Sequence, residues 1–242
     1  MIELEQRDDR VAVVTLNRPE KRNAVDTQAC IDLAAAVDDA VGSGARALVL
    51  RGAGTNFCSG ADLTGVESDG FVATLYRTLD ALRDVPICTI AAVHGAALGA
   101  GTQLAIACDL RVVAPDARFG IPAAKLGLMT DHWTAQRLSL LAGPGPARAV
   151  LLACEELDAD ASVRLGLANR AGDLEAAVGW ASDIAALAPL TIAGHKLALN
   201  RLEPKPHDPE VEEAFRRAWA SEDLVEGQRA RAERRKPDFR GR

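Results

Sequence analysis

Three short runs constrain this chain more than any other feature: VAVVTL (11–16), ARALVLRG (45–52) and PICTIAAV (86–93). None alternates apolar with polar residues, so each reads as a strand buried on both faces. Helical spacing separates them. TQACIDLAAAVDDAV follows Asp26, a good N-cap, and a further helix is predicted around 70–84. A buried helix is expected over 99–108 and a fourth strand over DLRVVAPD (109–116). Strands alternating with helices imply an α/β fold built on a parallel sheet.

From about residue 131 the pattern is mostly helical through 234. PLTIAGHKLALNRLEPKPHDPE reads as a helix broken near Pro204, and VEEAFRRAWASEDLVEGQRARAERR as one or two more. With no low-complexity linker, the expected organisation is a core over 1–188 and a C-terminal helical region over 189–242. Phe215, Trp219 and Leu224 are expected to present an apolar surface to neighbouring copies, and KPDFRGR to end the chain as an exposed tail.

Composition excludes several classes. A net charge of −6 argues against nucleic acid or an anionic membrane as the main partner. The five cysteines (Cys30, Cys58, Cys88, Cys108, Cys154) show no C-x-x-C pair, which favours reduced thiols in a cytoplasmic setting. His195 and His207 lack ligand spacing, so no metal is expected. The start, MIELEQRDDR, lacks an apolar signal region, and apolar runs break well before the ~18 residues of a membrane span.

Glycine-rich turns fall at chemically suggestive places, yet none fits G-x-G-x-x-G or a phosphate-binding P-loop. A nucleotide-dependent oxidoreductase is therefore remote. Four segments occur in order instead: LNRPEKRNAV (16–25), NFCSGADL (56–63), HGAALGAGTQLAIACDL (94–110) and FGIPAAKLGL (119–128). Together with the C-terminal K-P-D-F they resemble the crotonase superfamily, the enoyl-CoA hydratases and isomerases. The resemblance runs over essentially the whole chain. It implies a crotonase-like spiral of ββα units with a C-terminal helical oligomerisation region, forming homotrimers or dimers of trimers.

It also implies a coenzyme A thioester as ligand, with no separate cofactor. The family stabilises a thioester-derived enolate with two backbone N–H groups, which carry over to Ser59 and Ala100. Ala100 also opens a helix, whose positive end favours developing negative charge. Lys21, Arg22 and Ala24 fall in the loop the family places near the CoA phosphates and adenine, and Ser59, Gly60, Ala61, Asp62 and Leu63 in its second CoA-contacting segment. Lys236 and Phe239 resemble residues by which a neighbouring subunit completes the CoA site.

The family's two catalytic glutamates fall on Gln103 and Ala123. A carboxamide accepts no proton in a useful range and a methyl group none at all, so ordinary hydration should be negligible. The run DHWTAQRLSLLAG (131–143) resembles a non-hydrating, acyl-CoA-binding mycobacterial branch. His132 and Trp133 are expected to shape the acyl pocket. Asp131 has two readings, a helix N-cap or the catalytic aspartate of some isomerases and dehalogenases. Two functions follow: an acyl-CoA-binding protein of lipid metabolism with a degenerate hydratase site, or an active hydratase or isomerase using Asp131 or another acid. Cys58 and His94 suggest a thiol nucleophile only weakly, because Cys is usually a small buried apolar residue.

Overall fold

The computed structural model describes residues 1–62 and 68–242. It divides into two compact units, residues 1–119 with 158–204 and residues 120–157 with 205–242.

The first unit begins with β1 (Ile2–Gln6), β2 (Val11–Leu16), α1 (Thr27–Gly42) and β3 (Ala47–Gly52). It continues through α2 (Ser68–Asp84), β4 (Cys88–Val93), β5 (Ala96–Leu98), α3 (Ala100–Ala107), β6 (Leu110–Val113) and the short β7 (Arg118–Gly120). Among the described residues the main sheet has the order β1-β2-β3-β4-β6-β9, where β9 is the later pair Arg170–Ala171. All its neighbours pair in parallel except β1, which runs antiparallel to β2 with Ile2 opposite Leu16.

The absence of alternation in the apolar runs has its explanation here. Val11, Val13, Val49, Ile90 and Val112 pack against Ala177, Ala181 and Ala185 of the helix Leu174–Ala185. Ala12, Val14, Leu48, Leu50 and Ala91 point the other way and are also fully buried. Each strand therefore contributes both faces to the core, at about 1.5–3 kcal/mol per fully buried aliphatic side chain. Asp26 caps α1 as expected, accepting from the Ala29 amide at 2.9 Å.

Two buried cations lock the elements that lead to the site. Arg111, 1% exposed, donates to the carbonyls of Ala105, Cys108 and Leu167. A guanidinium at the C-terminal end of α3 suits the helix dipole. Lys196, 6% exposed, donates to Ile87 O at 2.9 Å and Leu82 O at 3.3 Å and pairs with Asp109.

The second unit contains α4 (His132–Ala142), α5 (Pro144–Leu152), the two-residue β8 (Leu157–Asp158) at its edge, α9 (Pro209–Trp219) and α10 (Glu222–Ala232). Between them in sequence, α6 (Ala159–Leu165), α7 (Leu174–Ala185) and α8 (Pro189–Leu202) belong to the first unit. Helix α8, grouped by sequence with the C-terminal region, is thus pinned to the first unit through Lys196. Its leucines point outward: Leu190 is 88% and Leu202 79% exposed.

Of the three C-terminal apolar residues expected to face neighbouring copies, Leu224 is buried in its own chain, whereas Phe215 and Trp219 are partly exposed. Leu224 is 7% exposed within its own chain, and Trp219 Nε1 donates to the Met129 carbonyl at 2.9 Å. Leu224 packs inside the second unit because the face of α10 bearing Leu224 and Gly227 lies on the turn Pro122–Leu126. The KPDFRGR tail is exposed but tethered: the Arg240 and Gly241 amides donate to the Asp223 carboxylate, and that of Asp238 to Glu226.

Candidate acyl-CoA site

Residues 56–62 and 94–101 meet backbone to backbone. The Phe57 amide donates to His94 O at 2.8 Å, Cys58 to Ala96 O at 2.9 Å, and Leu98 returns to Cys58 O at 2.9 Å. Small residues make that approach possible. A Cβ on Gly101 would overlap the Cys58 carbonyl oxygen. Gly60 has φ of 114°, and a Cβ there would sit 3.0 Å from Leu98 O and 3.9 Å from Ala100 N. Gly60 consequently lies beside the first amide of α3.

Ala100 is the first residue of that helix, and Gly99 before it offers no side-chain cap. The opening amides of a helix have no intrahelical acceptor. Among the described residues the Ala100 and Ala61 amides have no hydrogen-bond partner. The Ser59 amide, expected to be the second donor, is instead committed to the Arg22 carbonyl at 3.0 Å. The available pair is Ala61 with Ala100. The signal lay in the S-G-A-D run itself: the glycine turns the chain, and the amide after it is left without an acceptor among the described residues.

Gln103 follows three residues along α3; it is 8% exposed, and its amide donates to Gly99 O at 3.1 Å. A polar, non-ionising side chain thus occupies the interior of α3. Lys21 and Arg22 are exposed at a left-handed turn. Lys21 Nζ lies 3.9 Å from Asp62, whose carboxylate also meets Arg18 at 3.1 Å. Gly60 is buried and Ala24 and Ala61 are partly exposed, whereas Leu63 lies outside the described residues.

The thiol reading fails on geometry. His94 Nε2 donates to Gly54 O at 3.0 Å, and Cys58 Sγ contacts Gly60 O at 3.7 Å, so neither activates the other. Burial pushes the Cys58 thiol up to about 12, leaving no thiolate near neutrality.

In the second unit Asp131 is the N-cap of α4. Its carboxylate accepts from the Thr134 amide at 3.4 Å and from the Thr134 hydroxyl. His132 and Trp133 form the first turn of that helix; Trp133 is buried, and His132 Nδ1 is a buried atom without a hydrogen-bond partner among the described residues. Ala123 stands in the turn Pro122–Leu126, its carbonyl taken by the Leu128 amide. Lys236 and Phe239 are exposed on the tethered tail. No group of three or more His, Cys, Asp or Glu among the described residues is placed to hold a metal ion. Nor is any single described helix long and apolar enough to cross a membrane.

Residues 6–242 match the model of the enoyl-CoA hydratase/isomerase family. The chain belongs to that family. Family members include the probable enoyl-CoA hydratase echA6 of Mycobacterium tuberculosis, 45% identical over 96% of this chain and 97% of its own. The short-chain-enoyl-CoA hydratase of Clostridium acetobutylicum is 31% identical over 96% of this chain and 94% of its own. Among solved structures, an enoyl-CoA hydratase from Mycobacterium avium subsp. paratuberculosis superposes with a TM-score of 0.84 at 26% identity, covering 99% of this chain and 98% of that one. A methylmalonyl-CoA decarboxylase reaches 0.90 at 24% identity, covering 100% of this chain and 98% of that one, a likeness of fold. The fold is the crotonase fold, α/β with C-terminal helices.

Proposed function

We propose that this family member binds acyl-CoA thioesters and has lost ordinary hydratase chemistry. The observation that carries the reading is the pairing of two available backbone donors, Ala61 and Ala100, with an amide at Gln103 in the same helix. The donors suit a thioester oxygen, and removing one oxyanion-hole donor from an acyl-transfer enzyme typically costs roughly 2.7–4 kcal/mol. Gln103 and Ala123 supply no carboxylate at the two glutamate positions, where general acid–base groups commonly contribute about 10²–10⁴ in rate.

Lys21 and Arg22 are the cations for the CoA phosphates, supported by their exposure on a left-handed turn. His132 and Trp133 shape the acyl end of the ligand, and Lys236 and Phe239 extend the CoA site of a neighbouring copy. The assembly is a homotrimer or a dimer of trimers, which light scattering would reveal as a mass three or six times that of the chain. Asp131 serves as an N-cap, a reading supported by its two contacts to Thr134.

Two measurements test the proposal together. Saturating acyl-CoA at ~100-fold above Kd should stabilise the fold by about 2.7 kcal/mol, seen as a higher Tm. Crotonyl-CoA should meanwhile keep its conjugated-thioester absorbance. Absence of any shift across short and long acyl chains defeats the binding reading, and rapid absorbance loss defeats the loss of hydration.

A further inference from the structure

The turn bearing Lys21 and Arg22 and the segment bearing Ala61 are physically joined. Ser59 N–H donates to Arg22 O at 3.0 Å, Val25 N–H to Gly60 O at 2.9 Å, and Asp62 N–H to Val25 O at 2.8 Å. These bonds make Val25 and Ala61 opposite members of a parallel bridge. Peptide groups alternate in direction along an extended segment. With Gly60 O and Asp62 N turned toward Val25, the Ala61 amide must face away from residues 22–25. Whatever fixes that segment fixes the line along which Ala61 presents its N–H.

What fixes it is Asn23. Arg22 and Asn23 are consecutive left-handed residues, φ 52° and 56°, a conformation that Asn tolerates better than most side chains. Asn23 is 1% exposed and its amide group is fully used. Oδ1 accepts from the Arg18 amide at 3.0 Å, while Nδ2 donates to Ala53 O at 2.8 Å and Asn56 O at 2.7 Å. The two carbonyls belong to the loop that runs into Phe57 and Cys58, which dock on His94 and Ala96 just before Ala100. One side chain therefore ties the cationic turn to the loop that carries one donor and docks beside the other.

We propose that Asn23 is a positioning residue: its side chain holds residues 22–25 in register with 59–62 and so aims the Ala61 amide at a bound thioester oxygen. The inference rests on the acyl-CoA reading above, and its chemistry reaches the ligand only through Ala61.

The test uses the full chain and a 3-arylacryloyl-CoA, whose absorbance moves to longer wavelength when hydrogen bonds polarise its carbonyl. The unmodified protein should show that red shift on binding. Asn23→Gly keeps the left-handed backbone and removes all three side-chain bonds. It should move the bound spectrum back toward that of the free probe, compared per bound molecule. Thioester affinity should fall about tenfold, the scale of one hydrogen bond to a charged or strongly polarised group, and free CoA affinity by less. Asn23→Asp keeps the acceptor for Arg18 and loses both donations; it should show the same spectral return and is read in place of Asn23→Gly if circular dichroism finds that variant unfolded. A full red shift in a folded variant overturns the role of Asn23. Binding of the probe without any red shift in the unmodified protein overturns the donor pair and this inference with it.

Discussion

Asp109 Oδ2 stands 2.7 Å from Lys196 Nζ, joining the residue beyond α3 to the middle of α8. The same oxygen accepts from the Thr89 amide at 2.8 Å and its hydroxyl at 3.0 Å. Removing the lysine leaves a carboxylate and two carbonyls short of a donor. Lys196→Ala should destabilise by about 3 kcal/mol, a fall in Tm of roughly 6–12 °C for a chain of this size. Lys196→Met together with Asp109→Asn removes both charges and should cost less than Lys196→Ala. A thermal melt of the three proteins decides it.

Restoring carboxylates at the two family positions should restore chemistry. Gln103→Glu with Ala123→Glu is expected to hydrate crotonyl-CoA measurably above the parent, and each single change to do less, because such groups act non-additively. Position 103 is buried, so a glutamate there will have a raised pKa. A base must be ionised, so the gain should be larger at pH 8 than at pH 6. Robust hydration by the unmodified protein that survives Asp131→Asn would refute the expectation from the other side.

Thiol labelling should find one cysteine of five. Cys30, Cys58, Cys88 and Cys108 are buried and Cys154 is partly exposed. Burial raises each of the four buried thiols from 9.0 to about 12. Such groups favour the folded state more as the unfolded chain's thiols stay neutral, so their contribution is complete below pH 9 and is lost as pH climbs from there toward 12. Mass spectrometry after brief alkylation at neutral pH should show a single adduct, and four further adducts only after unfolding.

The tail responds at the acid end. Arg235 forms a two-pronged pair with Glu226, one contact at 2.8 Å, and the Asp238 amide adds another at 2.9 Å. Those hydrogen bonds hold the Glu226 carboxyl down from 4.5 to about 2. A depressed carboxyl contributes fully above its unfolded value and loses that contribution as pH falls from 4.5 toward about 2. Proteolysis near Lys236 should quicken across that window, while Glu226→Gln should make cleavage fast already at neutral pH.

Much of the first unit is legible in sequence because it follows from local periodicity. The three apolar runs became β2, β3 and β4, and Asp26 and Asp131 became caps. What sequence missed depends on partners far along the chain. IELEQ pairs as β1 although charged, since an edge strand exposes one side. Ser59 and Ala61 differ only in which way a peptide faces, and that is decided by Arg22, Val25 and a glycine φ. Asn23 carries no local mark of its three bonds, because two of its partners lie about thirty residues away in the chain. Leu224 looks like an interface residue until the turn beneath it is seen.

Helix α8 sends its lysine inward and its leucines outward. The lysine seats this helix on its own chain and still leaves Leu190, Leu197, Leu199 and Leu202 in water. Folding is unimolecular, and its outcome is written in one chain. Hiding those leucines requires a second molecule, so its extent is set by concentration. In the assembly proposed above, a correctly folded chain is an adhesive one until it meets another copy, for longest when the protein is dilute.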